Sequence, residues 1–212
     1  MLGDQARASD YDGGDVTMAS VAKSEWDNTA AARLDELERV HADARGTRRG
    51  RRWGTEQLNR SLFVVLVAQF QTYCRDLHDE AIDVHVTAAN PRQQEVLRTL
   101  LAQGRKLDVQ NPQPAALGND FGRLGFQLVP ALKNKGADIE EALEKLELLV
   151  KFRNAVAHGN ESELAALIAD GSIRATLTSY RGFRMTLNRL VGTMDRVVAA
   201  ELASGLRIPP PW

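Results

Sequence analysis

Leu62-Phe-Val-Val-Leu-Val-Ala-Gln-Phe-Gln-Thr-Tyr-Cys-Arg-Asp-Leu-His-Asp-Glu80 is the stretch that decides the fold. Leu62, Val65, Leu66, Tyr73 and Leu77 return at helical spacing, and Leu58, Ala81 and Val84 extend the same face beyond it. Thr55 can cap the start, and no glycine or proline follows until Pro91. About 30 residues at ~1.5 Å each give a helix of roughly 45 Å, long enough to be the spine of a bundle.

Upstream, residues 1–24 are rich in Asp, Gly, Ser and Ala without periodicity, and read as a disordered, mildly acidic tail. Residues 25–54 combine a helix from Asp27, with Ala31, Leu34, Leu37 and Val40 or His41 on one face, and an Arg-rich loop from Gly46 to Gly54. Downstream, Asn90-Pro91 opens a short helix to about Gln103. Residues 104–120, with Gly104, Pro112, Pro114 and Gly118, read as an irregular connection before a helical piece from about Asp120 to Leu132. Asp138 with Glu141 resembles a capping box opening a long helix that Gly159 ends. A short helix over Glu161–Ala169 and a long one over Leu177–Leu202 follow, then a Pro-rich tail, residues 207–212. No segment alternates with period two. The expectation is an all-α, up-and-down bundle of four to five main helices with short extra helices, spanning residues 55–206.

Composition narrows the function. A hydrophobic content of 43% and a charged content of 26% are ordinary for a globular protein. The formal net charge of −1 excludes a globally basic nucleic-acid binder, so any such contact must be a local patch. Arginine outnumbers lysine 21 to 6, which suits phosphate forks but is better explained by high-GC coding. Cys74 is the only cysteine, so there is no intrachain disulfide and no thiolate metal cage, and its apolar setting reads as a buried thiol. The first 25 residues lack the pattern of a secretory signal, and the longest apolar run, Leu62–Ala68, is far short of the ~20 residues that cross a bilayer. A cytoplasmic protein with no membrane partner is expected.

Chemistry concentrates in Leu146-Glu-Leu-Leu-Val-Lys-Phe-Arg-Asn-Ala-Val-Ala-His-Gly159. Its apolar stripe runs Ile139, Leu143, Leu146, Val150, position 153 and Ala157, at spacings of 4, 3, 4, 3 and 4. Arg153 therefore stands where the pattern requires a core residue, a costly place for a charge unless it is paired or faces a cleft or interface. Asn154 and His158, four apart, share a face. Arg153 and His158 are about 140° apart, within reach of one phosphate for a long side chain. Leu148, Leu149, Phe152, Ala155 and Val156 make this helix end apolar on nearly every side, which suggests a second chain packed against it. In the last turn the helix dipole favours an imidazolium at His158, suited to moving protons, while Arg153 offers a planar fork for phosphoryl oxygens. An Arg-x-x-x-x-His spacing alone arises by chance in roughly a third of such sequences, so its context carries the signal.

Phe152-Arg153-Asn154-Ala-Val-Ala-His158-Gly159 resembles the Arg–polar–x-x-x-His signature of the HEPN superfamily, and Leu62–Glu80 resembles the first long helix of such domains. The likeness covers roughly residues 55–205. It implies a homodimer with two Arg/His pairs in a shared cleft, and a metal-independent endoribonuclease of toxin–antitoxin or defence type, with no cofactor. Arg153 and His158 would be catalytic, with Asn154 as polar helper. One subgroup carries a Tyr two residues after the His that a nucleotidyltransferase antitoxin modifies; this chain has Asn160 there. Other members bind RNA without cutting it.

Three readings remain open at this stage. The first is an endoribonuclease with RNA and a cognate antitoxin as partners, the second a non-catalytic RNA- or nucleotide-binding module. The third is a structural helical dimer in which Arg153 pairs with a carboxylate such as Glu147. Arg48, Arg49, Arg51, Arg52 and Trp53 could grip an RNA backbone with Trp53 stacked on a base, although a solvated, flexible loop is the simpler reading. His78, Asp79 and Glu80 match no closed metal pattern and read as a solvated helix face.

Overall fold

The computed structural model describes residues 18–45 and 52–212, and of residues 44, 45 and 52–55 the backbone alone. All regular structure among them is helical. A run of α1 (Val21–Glu25), a π-helical turn (Trp26–Ala30) and α2 (Ala31–Arg45) precedes α3 (Arg52–Ala88) and α4 (Gln94–Ala102). A 3-10 turn (Lys106–Asp108), α5 (Pro114–Gly122), α6 (Leu128–Lys133), α7 (Ala137–Ala157), α8 (Glu161–Ala169) and α9 (Leu177–Leu206) complete the chain. No helix among the described residues is long and apolar enough to cross a membrane.

The spine is α3, whose 37 residues span roughly 55 Å and pack against α2, α4, α7 and α9. Its buried face is wider than the sequence stripe: Phe63, Val67, Phe70, Cys74, Ile82 and Val86 join Leu62, Leu66, Tyr73, Leu77 and Ala81, while Leu58 is exposed. That width follows from neighbours on several sides. Phe63 shows how they meet, with ring centroids 4.9 Å from Phe152 of α7 and 5.9 Å from both Tyr180 and Phe183 of α9.

Several boundaries move for identifiable reasons. Residues 21–24, assigned above to the tail, are helical because Ser20 Oγ accepts from Lys23 N at 2.9 Å and the Glu80 carboxylate accepts from Val21 N at 3.0 Å. The rest of that tail before residue 18 lies outside the described residues. Ala22, Trp26, Ala30 and Leu34 are all buried at a spacing of four, which in an α-helix drifts by about 40° a step; the wider π-turn absorbs the drift. The long helix starts at Arg52, ahead of Thr55. Pro114, read as part of an irregular connection, starts α5 as its first residue. Gly136, not a capping box, precedes α7: its φ is 136°, and a Cβ there would stand 2.9 Å from Asp138 Oδ1. The terminal Trp212 is half-buried and its Nε1 donates to the Asp195 carbonyl at 3.4 Å.

Candidate active site at the end of α7

Burial of Ile139, Leu143, Leu146, Leu149, Val150, Phe152 and Ala155 fixes α7 in the core almost to its end. The helix stops in a Schellman motif. Gly159, at φ 63°, takes the left-handed position, Asn160 N donates to Ala155 O at 2.9 Å, and Gly159 N donates to Val156 O at 3.3 Å. His158 is thus the C-cap, one residue beyond the last helical turn, and it is exposed. Asn160 at once caps α8, its side chain accepting from Glu163 N. This accounts for an Asn at that position on local grounds.

Arg153 is half-buried, as is Asn154. Arg153 Nη1 donates to Asn154 Oδ1 at 3.2 Å, while Arg153 Nε is buried with no hydrogen-bond partner. Among the described residues Arg153 makes no ion pair, and the exposed Glu147 does not approach it within this chain. Of the other half-buried arginines, Arg60, Arg75, Arg105 and Arg184 pair with carboxylates, while Arg123 donates to the Leu100 carbonyl at 2.7 Å. The contrast matters, because a paired guanidinium has its charge satisfied and Arg153 does not. Asn111, between α4 and α5, is a neighbour that no sequence signal reveals: its Nδ2 donates to the same Asn154 Oδ1 at 2.7 Å. Asn154 joins Arg153 to Asn111 through its side chain, while its backbone carbonyl accepts from His158 N at 3.0 Å as part of the helix. No hydrogen bond links the guanidinium to the imidazole.

Of the proposed RNA-gripping residues, Arg48, Arg49 and Arg51 lie outside the described residues, and only the backbone of Arg52 and Trp53 is described. The start of α3 nevertheless approaches the end of α7, since Arg60 Nη1 lies 2.9 Å from Glu161 Oε1, three residues after His158. Arg52, eight residues earlier, is on the order of 12 Å further along that helix.

The solvated face expected at His78–Glu80 is instead structural. His78 is fully buried, its Nε2 donating to the Asp120 carbonyl at 3.0 Å with its ring edge-on to Phe121. Burial lowers its pKa from the ordinary histidine value. Asp79 pairs with Arg105, and Glu80 caps α1. His41, unassigned above, is buried with Nε2 donating to Asn59 Oδ1 at 2.7 Å. Burial pushes the Cys74 thiol well up, away from nucleophilic use. No family model, characterised protein or solved structure matches this chain.

Proposed function

We propose that this chain is a metal-independent endoribonuclease of HEPN type, a homodimer in which two copies of Arg153 and His158 face one RNA strand. In this reading α2, α3, α7 and α9 are the main helices of an up-and-down bundle, and the protein works in the cytoplasm as a toxin or defence effector, with a cognate antitoxin as a further partner. The observation that carries the reading is the half-buried Arg153, whose guanidinium is held by an Asn amide and has no carboxylate partner among the described residues. A charge kept unpaired on a rigid helix beside an exposed His is an arrangement suited to a phosphate. The half-buried Val156 on the same helix end and the exposed Val109, two residues before Asn111, offer apolar surface to a second copy.

The chemistry follows from these groups. A neutral His158 imidazole takes the proton of a ribose 2′-OH, whose oxygen attacks the adjacent phosphorus. Arg153 and Asn154 Nδ2, which has no partner among the described residues, donate to the non-bridging oxygens as charge builds on them. The bond to the 5′-oxygen breaks as an imidazolium, supplied by the second copy of His158, protonates it. The products are a 2′,3′-cyclic phosphate and a 5′-hydroxyl. Cleavage of a mixed-sequence RNA in EDTA should yield those ends, with no cut at a nucleotide whose 2′-OH is replaced by hydrogen. Ends bearing a 5′-phosphate, or cutting at the 2′-deoxy position, would contradict the mechanism.

One feature favours a non-catalytic RNA- or nucleotide-binding module as the second reading. Among the described residues no hydrogen bond orients the His158 ring, whereas a general base is ordinarily held by a third group. Stable RNA binding without any product would select that reading.

A further inference from the structure

We propose that Asn111 is a positioning residue for the α7 site, holding Asn154 and through it Arg153 in the geometry that receives a phosphate; the inference rests on the ribonuclease reading of that site. Arg153 can only donate, so its contact fixes the oxygen of the Asn154 amide on the side facing Arg153 and Asn111. Asn111 Nδ2, at 2.7 Å from that oxygen, locks the same orientation from the neighbouring segment. Asn154 Nδ2 is thereby turned the other way, with no partner among the described residues, and stays available to a phosphoryl oxygen. Without Asn111 the amide is free to rotate about its last torsion, and Arg153 loses its only anchored acceptor.

The segment that carries Asn111 is built to hold still. The fully buried Asp120 accepts from Lys106 N at 2.8 Å through Oδ1 and from Leu107 N at 2.7 Å through Oδ2. Gln71 of α3 donates to the carbonyls of Leu107 and Gln110, both at 2.8 Å, and Arg75 Nε donates to the Leu107 carbonyl at 2.8 Å. Gln113 N returns to the Asn111 carbonyl at 2.8 Å, and Pro112 between them is buried. A polar side chain carried on so many fixed bonds is positioned as a strand or helix residue would be, which loops seldom achieve.

The test compares RNA cleavage by wild type, Asn111→Ala, Asn111→Asp, Asn154→Ala and the Asn111→Ala/Asn154→Ala double variant, with a thermal melt confirming that each is folded. Asn111→Asp keeps the shape but removes the donor, and its carboxylate competes for the Arg153 guanidinium. The expected result is a kcat about 10-fold lower in Asn111→Ala and lower still in Asn111→Asp, with KM within about twofold of wild type, as for a group that strengthens only transition-state contacts. Asn111→Ala should cost nothing further in the Asn154→Ala background. A wild type that cuts beside an equally active Asn111→Ala, or losses that multiply in the double variant, overturns the positioning role and leaves the ribonuclease reading intact. A wild type that leaves RNA uncut overturns both.

Discussion

Arg153→Met separates a functional arginine from a structural one, because the two roles predict opposite changes in stability. The buried Nε without a partner carries a desolvation penalty of about 1–3 kcal/mol. The bond from Nη1 to Asn154, at 3.2 Å, returns about 0.5–1.5 kcal/mol. Methionine keeps most of the aliphatic stem and removes both contributions, so the fold should gain on the order of 1 kcal/mol. For a domain of this size that raises Tm by about 2–4 °C. The assay pairs a thermal melt with RNA cleavage on the same preparation: a higher Tm with cleavage abolished is the expected result. A loss of about 3 kcal/mol or more, the signature of a broken buried ion pair, would refute the reasoning and favour the structural-dimer reading.

The other predictions concern the supports of the site. Asp120→Asn places an amide donor against the Lys106 or Leu107 N–H and should cost about 3 kcal/mol, read as a fall of about 1.5 M in the urea midpoint; an unchanged midpoint would show that the carboxylate does not hold the Lys106–Asn111 segment. Gly159→Ala should cost about 1 kcal/mol and Gly159→Asn less, since φ is 63° and nothing lies within 4 Å of a new Cβ; equal costs would point to a steric cause instead. His78, whose folded-state pKa is lowered by burial, contributes stability that is present above its unfolded value near 6.5 and lost as pH falls through that value toward the folded one. Urea melts should therefore weaken from pH 7.5 to 5.5, and His78→Gln should reduce that slope by at most about 1.4 kcal/mol per pH unit, whereas an identical slope in the variant would acquit His78.

What the sequence revealed tracked periodicity. The α3 stripe places Leu62, Leu66, Tyr73, Leu77 and Ala81 in the core and the α7 stripe Ile139, Leu143, Leu146 and Val150, α8 has the bounds its sequence predicts, and Gly159 marks a helix end because a left-handed residue is favoured there. Helix starts were harder, because they depend on partners distant in sequence: the carboxylate that caps α1 belongs to Glu80, and Pro114 initiates a helix where composition suggested a break. The anomaly of Arg153 on an apolar stripe is legible, and among the described residues Arg153 combines a buried, partnerless Nε with the lack of any ion pair. Asn111 was not legible, since an Asn before a proline in a connecting segment is ordinary turn chemistry. Nor was the role of His78 and Asp120, whose contacts join positions 42 apart.

The most direct measurement is cleavage of a mixed-sequence RNA in the presence of EDTA by wild type and by His158→Ala, at matched protein concentration. His158 is exposed and caps a helix whose last turn is closed by Gly159, so the substitution should leave the fold intact. The account predicts cleavage by wild type and none by the variant. Cleavage by both, or by neither, would contradict it.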